Sequence, residues 1–413
     1  MFQTFISITA LAAMLSLVNN KLLKLPDTIG VMILAIIISL GFAAVSTFAP
    51  DQISSICQVI EDIDFRTILF EFLLGFLLFA GSIHIDIKQL LKVRMSIFLY
   101  ATLGVLISTF TVGTIFFYVS GLLGLDISYI FCLIFGALIS PTDPIAVLAL
   151  MEKAGISKDL EIKIVGESLF NDGVGIVVFL TLLTLGTMVG SDIHFGHIAQ
   201  EFTKEVGGGL LLGFILGTLG NRLLKSLEQE PVIAVHVSLA IVMGGYSLAA
   251  ALHISGALAM VVAGLLIGKG LHLLAEDSVQ KQHVTLFWKV IDEILNSILF
   301  VLIGLELIVL NFQTNSFVLG VASIFIVLFS RYLALFLTNF LLAKELKADG
   351  KILKILTWAG LRGGISIALV LSLPESEIRD SLLVVTYVIV VFSIIVQGLT
   401  IEKVVKYLNR KVA

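Results

Sequence analysis

The chain has 413 residues, 58% of them hydrophobic and 14% charged, with a mean hydropathy of +1.09, whereas soluble domains carry roughly 45–50% apolar and about 25% charged residues. A cytosolic enzyme is thereby excluded. The 26 basic and 30 acidic residues leave a net charge of −4, too slight an imbalance to imply nucleic acid as a partner.

A helix needs about 20 mainly apolar residues to cross the hydrocarbon core. Cutting the sequence at its polar, Gly and Pro interruptions predicts an all-α polytopic membrane protein with about thirteen transmembrane helices. They lie near residues 3–19, 27–46, 66–85, 94–121, 128–152, 160–189, 205–224, 231–252, 255–270, 285–311, 316–343, 351–373 and 381–408. The shortest gap is between the eighth and ninth, where only His253 and Ile254 separate the apolar runs. The first span lacks a basic n-region and an A-x-A cleavage site, and Lys21 and Lys24 follow it, so it reads as a mature helix rather than a signal peptide. The longest loop, about 271–284, is too short to fold alone. Residues 1–413 therefore read as a single integral membrane domain.

Cytoplasmic loops carry the excess of Lys and Arg. The loops after odd-numbered spans and their flanks hold 21 of these residues, and those after even-numbered spans hold 3, namely Arg66, Lys204 and Arg379. That asymmetry predicts the N-terminus outside and the C-terminus in the cytoplasm, and it supports an odd number of spans. Of the two cysteines, Cys132 sits in an apolar run and Cys57 in a polar loop, so neither a disulfide framework nor a CxxC metal site is expected.

Charge within lipid costs roughly 2.5–3.5 kcal/mol per residue on insertion scales, which makes intramembrane ionisable groups candidates for function. Those singled out are Glu71, Asp143, Glu167, Asp172, Glu306, Arg331 and Arg362. Glu71 and Glu306 fall nearer the ends of their spans, where a carboxylate reaches the interface. Asp143 lies in Ser140-Pro141-Thr142-Asp143-Pro144, in the fifth span. Two prolines three residues apart remove two main-chain donors and predict a broken helix, with Asp143 capping the second half, whose first residue would be Pro144. Exposed backbone at that depth must line a cavity.

The sixth span carries Gly166-Glu167-Ser168-Leu169-Phe170-Asn171-Asp172-Gly173. Ser168, Asn171 and Asp172 share a face by their spacings of three and four. That face offers oxygen ligands, which suit a small hard cation such as sodium. Glu167, about 140° around the helix from Asp172, faces a different neighbour and pairs with Arg331 of the eleventh span, because an unpaired buried Glu or Arg would be prohibitive. Arg362, in Gly360-Leu361-Arg362-Gly363-Gly364 of the twelfth span, sits in a glycine-weakened helix and offsets helix-end carbonyls and Asp143.

The fifth and twelfth spans are each fourth in a five-helix half, spans two to six and nine to thirteen. The halves start from opposite sides, so the repeat is inverted. Two interrupted helices in matching places of inverted repeats point to a transporter binding site. A carboxylate in a tight cavity is neutralised by a proton or by a cation, and if the protein reorients only when neutralised, the result is an antiporter. One monovalent ion per proton is electroneutral, and Asn171, not a second carboxylate, precedes Asp172. No GxxxxGK[ST] loop is present for nucleotide-driven transport, and Gly173-x-Gly175 follows a membrane aspartate rather than a strand.

With these motifs the sequence resembles the cation/proton antiporter-1 family, which includes prokaryotic sodium/proton antiporters. The matching residues are Ser140 to Pro144, Gly166-Glu167-Ser168 with Asn171-Asp172, Gly304-Leu305-Glu306-Leu307, Arg331, and Trp358 to Gly364, in order over residues 140–364. The resemblance implies a core region (near 66–189 and 285–408), a dimerisation region (from 1–46 and 205–270), fifth and twelfth helices crossing at unwound centres, and a homodimer whose core moves like an elevator. Carried over by position, Asp172 is the ion and proton site and Thr142 gives a backbone carbonyl. Ser168 assists, Asn171 and Asp143 hold the crossing, and Glu167 with Arg331 is a stabilising pair. Many relatives place an acidic ligand near Leu78 to Gly81, where this chain has Phe79 and Ala80. Whether Glu71 substitutes stays open.

The expected function is electroneutral exchange of Na⁺, with Li⁺ also carried, for H⁺ in the cell's inner membrane, with no cofactor. The sodium ligands would be Asp172, Ser168 and Thr142. A potassium/proton antiporter on the same scaffold is the near rival, and a passive cation channel or membrane sensor the distant one. Gly209, Gly213 and Gly217, and likewise Gly264 and Gly268, recur every four residues. Such spacing serves close helix packing or a dimer seam.

Overall fold

The computed structural model describes residues 2–46, 67–143, 148, 150–151, 154–187, 195–275, 277–308, 310, 313–341 and 349–410, and among them it has helices and no strand. Cys57 and Pro144 lie outside the described residues. The helices are α1 (Phe2–Val18), α2 (Asp27–Ser46), α3 (Ile68–Ile83), α4 (Arg94–Leu122), α5 (Tyr129–Ile139), α6 (Lys158–Thr187) and α7 (Phe195–Ser226). There follow α8 (Pro231–Ala251), α9 (Gly256–His272), α10 (Val279–Glu306), α11 (Thr314–Leu341), α12 (Gly350–Ala359), α13 (Gly364–Leu371) and α14 (Glu377–Leu408). Among the described residues, 7 helices are long and apolar enough to cross a membrane, or up to 8 when α12 and α13, bent by 55°, are taken as one span. The chain is a multi-pass membrane protein. Large apolar side chains such as Phe110, Phe214, Phe325 and Phe340 are exposed on its outside, as a lipid solvent requires.

Local signals set the helix ends. Pro231 occupies the first turn of α8, and the side chains of Ser255, Ser278 and Ser376 accept the main-chain N–H of Leu258, Lys281 and Arg379 to cap α9, α10 and α14. The short link between α8 and α9 is a tight reversal. His253 takes a left-handed φ of 52° there, and the Ile254 N–H returns to the Ala249 carbonyl.

Helix α9 lies at the centre of one side of the molecule. On one flank Gly209, Gly213 and Gly217 of α7 lie against Ser255, Ala259 and Ala263, and on the other Gly264 and Gly268 lie against Phe79, Ser82 and Ile83 of α3. Both glycine ladders are thus used within the chain. Trp288 of α10, fully buried, donates its indole N–H to Ser238 of α8 at 3.0 Å and packs at a tilt of 55° on Phe79, with ring centroids 4.6 Å apart. On the opposite side α2 packs on α10, where the Ser39 hydroxyl donates to the Gly304 carbonyl at 2.6 Å.

Helices α6 and α11 are joined by charge. Arg331 Nη1 stands 2.5 Å from Glu167 Oε1, with side-chain exposures of 5% and 2%. Removing one member of a buried pair strands the other, at a cost of about 3–5 kcal/mol. Glu167→Gln and Arg331→Ala are each expected to lower the thermal midpoint and the yield of folded protein in detergent. Normal stability with loss of function would assign the pair to transport instead. For the glycine ladder, Gly268→Leu meets the Ile83 main chain and is expected to cost about 1–3 kcal/mol. Gly244→Leu, with open space at its Cβ position, is the control and should keep a normal melting curve.

Candidate ion-binding site

Two helix breaks meet inside the bundle. Helix α5 ends at Ile139, and residues 140–143 leave the helical path where Pro141 withholds a donor. Helix α12 ends at Ala359 and α13 begins at Gly364, across the glycine-rich segment 360–363. The segments pair through their main chains, the Asp143 N–H donating to the Leu361 carbonyl at 2.9 Å. Helix ends carry partial charges, negative at the carbonyl end and positive at the amide end, and two of them are answered here by a side chain of opposite sign. Arg362 Nη1 donates to the Ser140 and Pro141 carbonyls just past α5, at 2.5 and 2.7 Å. The Asp143 carboxylate lies against Gly363 at the amide end of α13, so close that a Cβ on Gly363 would strike it. Near the carbonyl end of α12, the Trp358 carbonyl accepts from Gln397 Nε2 at 3.0 Å.

Helix α6 supplies the side chains facing this crossing. Asn171, fully buried, grips Thr142 twice: its Oδ1 accepts the Thr142 N–H at 3.2 Å and its Nδ2 donates to the Thr142 hydroxyl at 2.8 Å. The Ser168 hydroxyl donates to the Thr142 carbonyl. Asp172, one turn beyond Ser168, joins Ser168, Thr142, Asp143 and Asn296 around a cavity of about 90 Å³, room for a small cation and at most a few waters. The charges bearing on Asp172 are Asp143, which repels it, and Arg362, which attracts it. The polar lining is dominated by oxygen, from carboxylates, a hydroxyl, a carbonyl and an amide. This donor set suits a hard monovalent cation.

The residues singled out by sequence separate into two groups. Thr142, Asp143, Ser168, Asn171, Asp172 and Arg362 converge on the crossing, whereas Glu167 points the other way, to Arg331. Glu306 is the last residue of α10. Glu71 lies in the first turns of α3, and its side chain lies outside what is described. From α3 the cavity receives Leu74, Leu77, Leu78 and Gly81. Phe79 and Ala80 are buried, and Phe79 packs on Trp288.

Sequence reasoning missed two polar residues of α10. Asn296 lines the cavity, and Asp292, one turn earlier, is a partly exposed carboxylate on which Asp143 bears electrostatically. Both lie inside the span expected near 285–311 and are not among the ionisable or polar residues singled out there. The signal available was the four-residue spacing of Asp292 and Asn296, which puts both on one helix face.

The family model for the sodium/hydrogen exchanger, transmembrane, matches residues 7–407. The Na⁺/H⁺ antiporter NhaP of Pseudomonas aeruginosa is 43% identical over 408 residues, spanning 96% of this chain and 94% of that protein. The Na⁺/H⁺ antiporter NhaH of Halobacillus aidingensis is 31% identical, over 94% of this chain and 93% of its own. In fold the chain is similar to the sodium proton antiporter MjNhaP1 from Methanocaldococcus jannaschii, with a TM-score of 0.74 at 20% identity and 96% of each chain covered. Matched along nearly its whole length, the chain belongs to the sodium/hydrogen exchanger family.

Proposed function

We propose that the protein exchanges Na⁺, and also Li⁺, for H⁺ across the plasma membrane, one for one and without net charge movement. The observation that carries this reading is Asp172, a single carboxylate on α6 in a small oxygen-lined cavity where two broken helices cross. Burial there makes the bare anion costly, and either a proton or a bound cation removes that cost. The two therefore compete. Ser168 and the Thr142 carbonyl complete the cation's ligands, and Asn171, Asp143 and Arg362 hold the crossing in register. The Ser168 hydroxyl donates to the Thr142 carbonyl and keeps its oxygen lone pairs for the cation. The relatives named as Na⁺/H⁺ antiporters support the choice of sodium.

In this reading the chain crosses the membrane thirteen times as two inverted five-helix halves plus three further helices, with the N-terminus outside and the C-terminus in the cytoplasm. The 21-to-3 distribution of basic residues supports that orientation. The core (near 66–189 and 285–408) moves against a dimerisation region (from 1–46 and 205–270) in a homodimer, carrying the cavity from one face to the other only when Asp172 is neutral.

The test is exchange in proteoliposomes, with a sodium gradient imposed, internal pH recorded and the membrane potential clamped. Sodium and lithium are expected to drive proton movement that is insensitive to the clamped potential. Asp172→Asn is expected to reduce exchange to that of protein-free vesicles, and normal exchange by that variant would refute the mechanism. Proton movement driven by potassium and not by sodium would establish the potassium/proton alternative.

A further inference from the structure

A second cavity, of about 870 Å³, lies end to end with the ion site, and three helices place it there independently. On α6 the ion cavity takes Ser168 and Asp172, and the second cavity takes Ile176 and Val177, one turn further on. On α13 the ion cavity takes Ser366 and the second takes Leu369. On α3 the order is reversed, with Phe70 in the second cavity preceding Leu77 and Leu78 in the first, and Leu74, 2% exposed, lines both. The two spaces are therefore successive along one axis, with Leu74 between them.

The walls of the second cavity differ. The side formed by α6, which carries Asp172, is apolar, and Leu180 on it is 40% exposed, so the cavity is open rather than sealed. The opposite side is pinned by Tyr246 of α8, whose hydroxyl donates to the Phe70 carbonyl of α3 at 2.5 Å. Its ring lies against Gly75 of α3 and Gly256 of α9, where a Cβ on either would strike it. Among the described residues Glu205 of α7 is the only carboxylate in the lining. Its main-chain carbonyl accepts the Ser255 N–H at 3.1 Å, which fixes this turn of α7 against the start of α9. Its half-buried side chain has no ion pair or hydrogen bond among the described residues. The charges bearing on it are Glu201 and Lys204. Those two stand 4.0 Å from each other, each about half exposed, and neither lines the cavity.

A single negative charge between low-dielectric walls concentrates cations in the space it faces. We propose that this cavity is the vestibule through which the cation reaches Asp172 from the face where α7 begins, with Glu205 as the carboxylate that concentrates cations in it and Leu74 as the barrier at its inner end. The proposal rests on the sodium/proton reading and adds a sided approach to it. Glu205 takes no part in the exchange step at Asp172. Its loss therefore weakens apparent affinity on one face and leaves the maximal rate largely unchanged.

The experiment reads the vestibule without transport. Leu180→Cys is introduced together with Cys57→Ser, since the remaining Cys132 is fully buried, and membrane-impermeant methanethiosulfonates, one cationic and one neutral, are applied to each face in turn. Both reagents are expected to react from the face where α7 begins, the cationic one faster, and Glu205→Gln is expected to lower the cationic-to-neutral rate ratio about threefold to tenfold. In sodium titrations of each face, Glu205→Gln should raise half-saturation on that face alone by a similar factor. Should Glu205→Gln yield too little folded protein, the ratio in the Leu180→Cys chain with Glu205 intact should fall toward one as ionic strength rises. No reaction from that face, a ratio of one at low ionic strength, or an equal rise in half-saturation on both faces would overturn the proposal. Exchange that persists in Asp172→Asn would overturn the sodium/proton reading instead, and would leave the rate ratio as it was.

Discussion

Main-chain polar groups released inside a lipid-solvated protein have no water to turn to, and that constraint organises the centre of this molecule. Breaking α5 at Pro141, and separating α12 from α13 by a glycine-rich segment, frees helix-end carbonyls and amides at the depth where each would be most costly unpaired. The crossing resolves this by exchange between the two breaks. Arg362, from one broken helix, serves the carbonyls of the other, and Asp143, from the second, stands at the amide end of the first. The Asp143–Leu361 main-chain bond then fixes their register. Neither break is tolerable alone. Each supplies the charge the other lacks, which is why both sit at the same place in the bundle.

The same logic explains the division of labour on α6. Glu167 and Asp172 are five residues apart on one helix, and the helical twist sends them to different neighbours. Glu167 meets Arg331 and becomes a closed pair, with no charge left to give. Asp172 meets a cavity, and the arginine bearing on it is already committed to two carbonyls. Of two acids five residues apart on one helix, one is paired by the protein and the other faces the cavity. Asn171 makes this arrangement possible. As an amide it can both accept and donate to Thr142, holding the α5 break against α6 without adding a further charge beside Asp172.

Much of this was legible in the sequence because the membrane narrows the alternatives. Proline pairs, clustered glycines and ionisable residues inside apolar runs are rare enough to be read one by one, so the two breaks, the oxygen-rich face of α6 and the Glu167–Arg331 pair were all expected from residue type and spacing. The separation of α8 from α9 was the weakest boundary by hydropathy, since two residues cannot show whether the chain turns or continues. The left-handed backbone of His253 and the Ser255 cap supply the turn that composition could not reveal. The glycine ladders were recognisable as packing faces but not as to partner. That α9 is gripped by α7 on one side and α3 on the other depends on the assembled bundle.

Asp292 was passed over for a physical reason that applies beyond this residue. Hydropathy places Asp292 and Glu293 inside the span near 285–311 without setting them apart, because it averages over the whole circumference of the helix. A long helix lying against a polar crossing can be amphipathic at membrane depth, with its polar stripe turned inward rather than toward water. Trp288 and Asn296 in the same stretch are almost fully buried while Lys289 and Glu293 are exposed, so one face of α10 turns inward and the other outward. In such a helix the apolar segment no longer marks the portion inside the membrane, and distance along the helix axis becomes the better guide to depth. By that measure Asp292 and Asp172 are at comparable levels. The inner surface of the crossing is then built from α5, α6, α10 and the α12–α13 break together, rather than from the two broken helices and α6 alone.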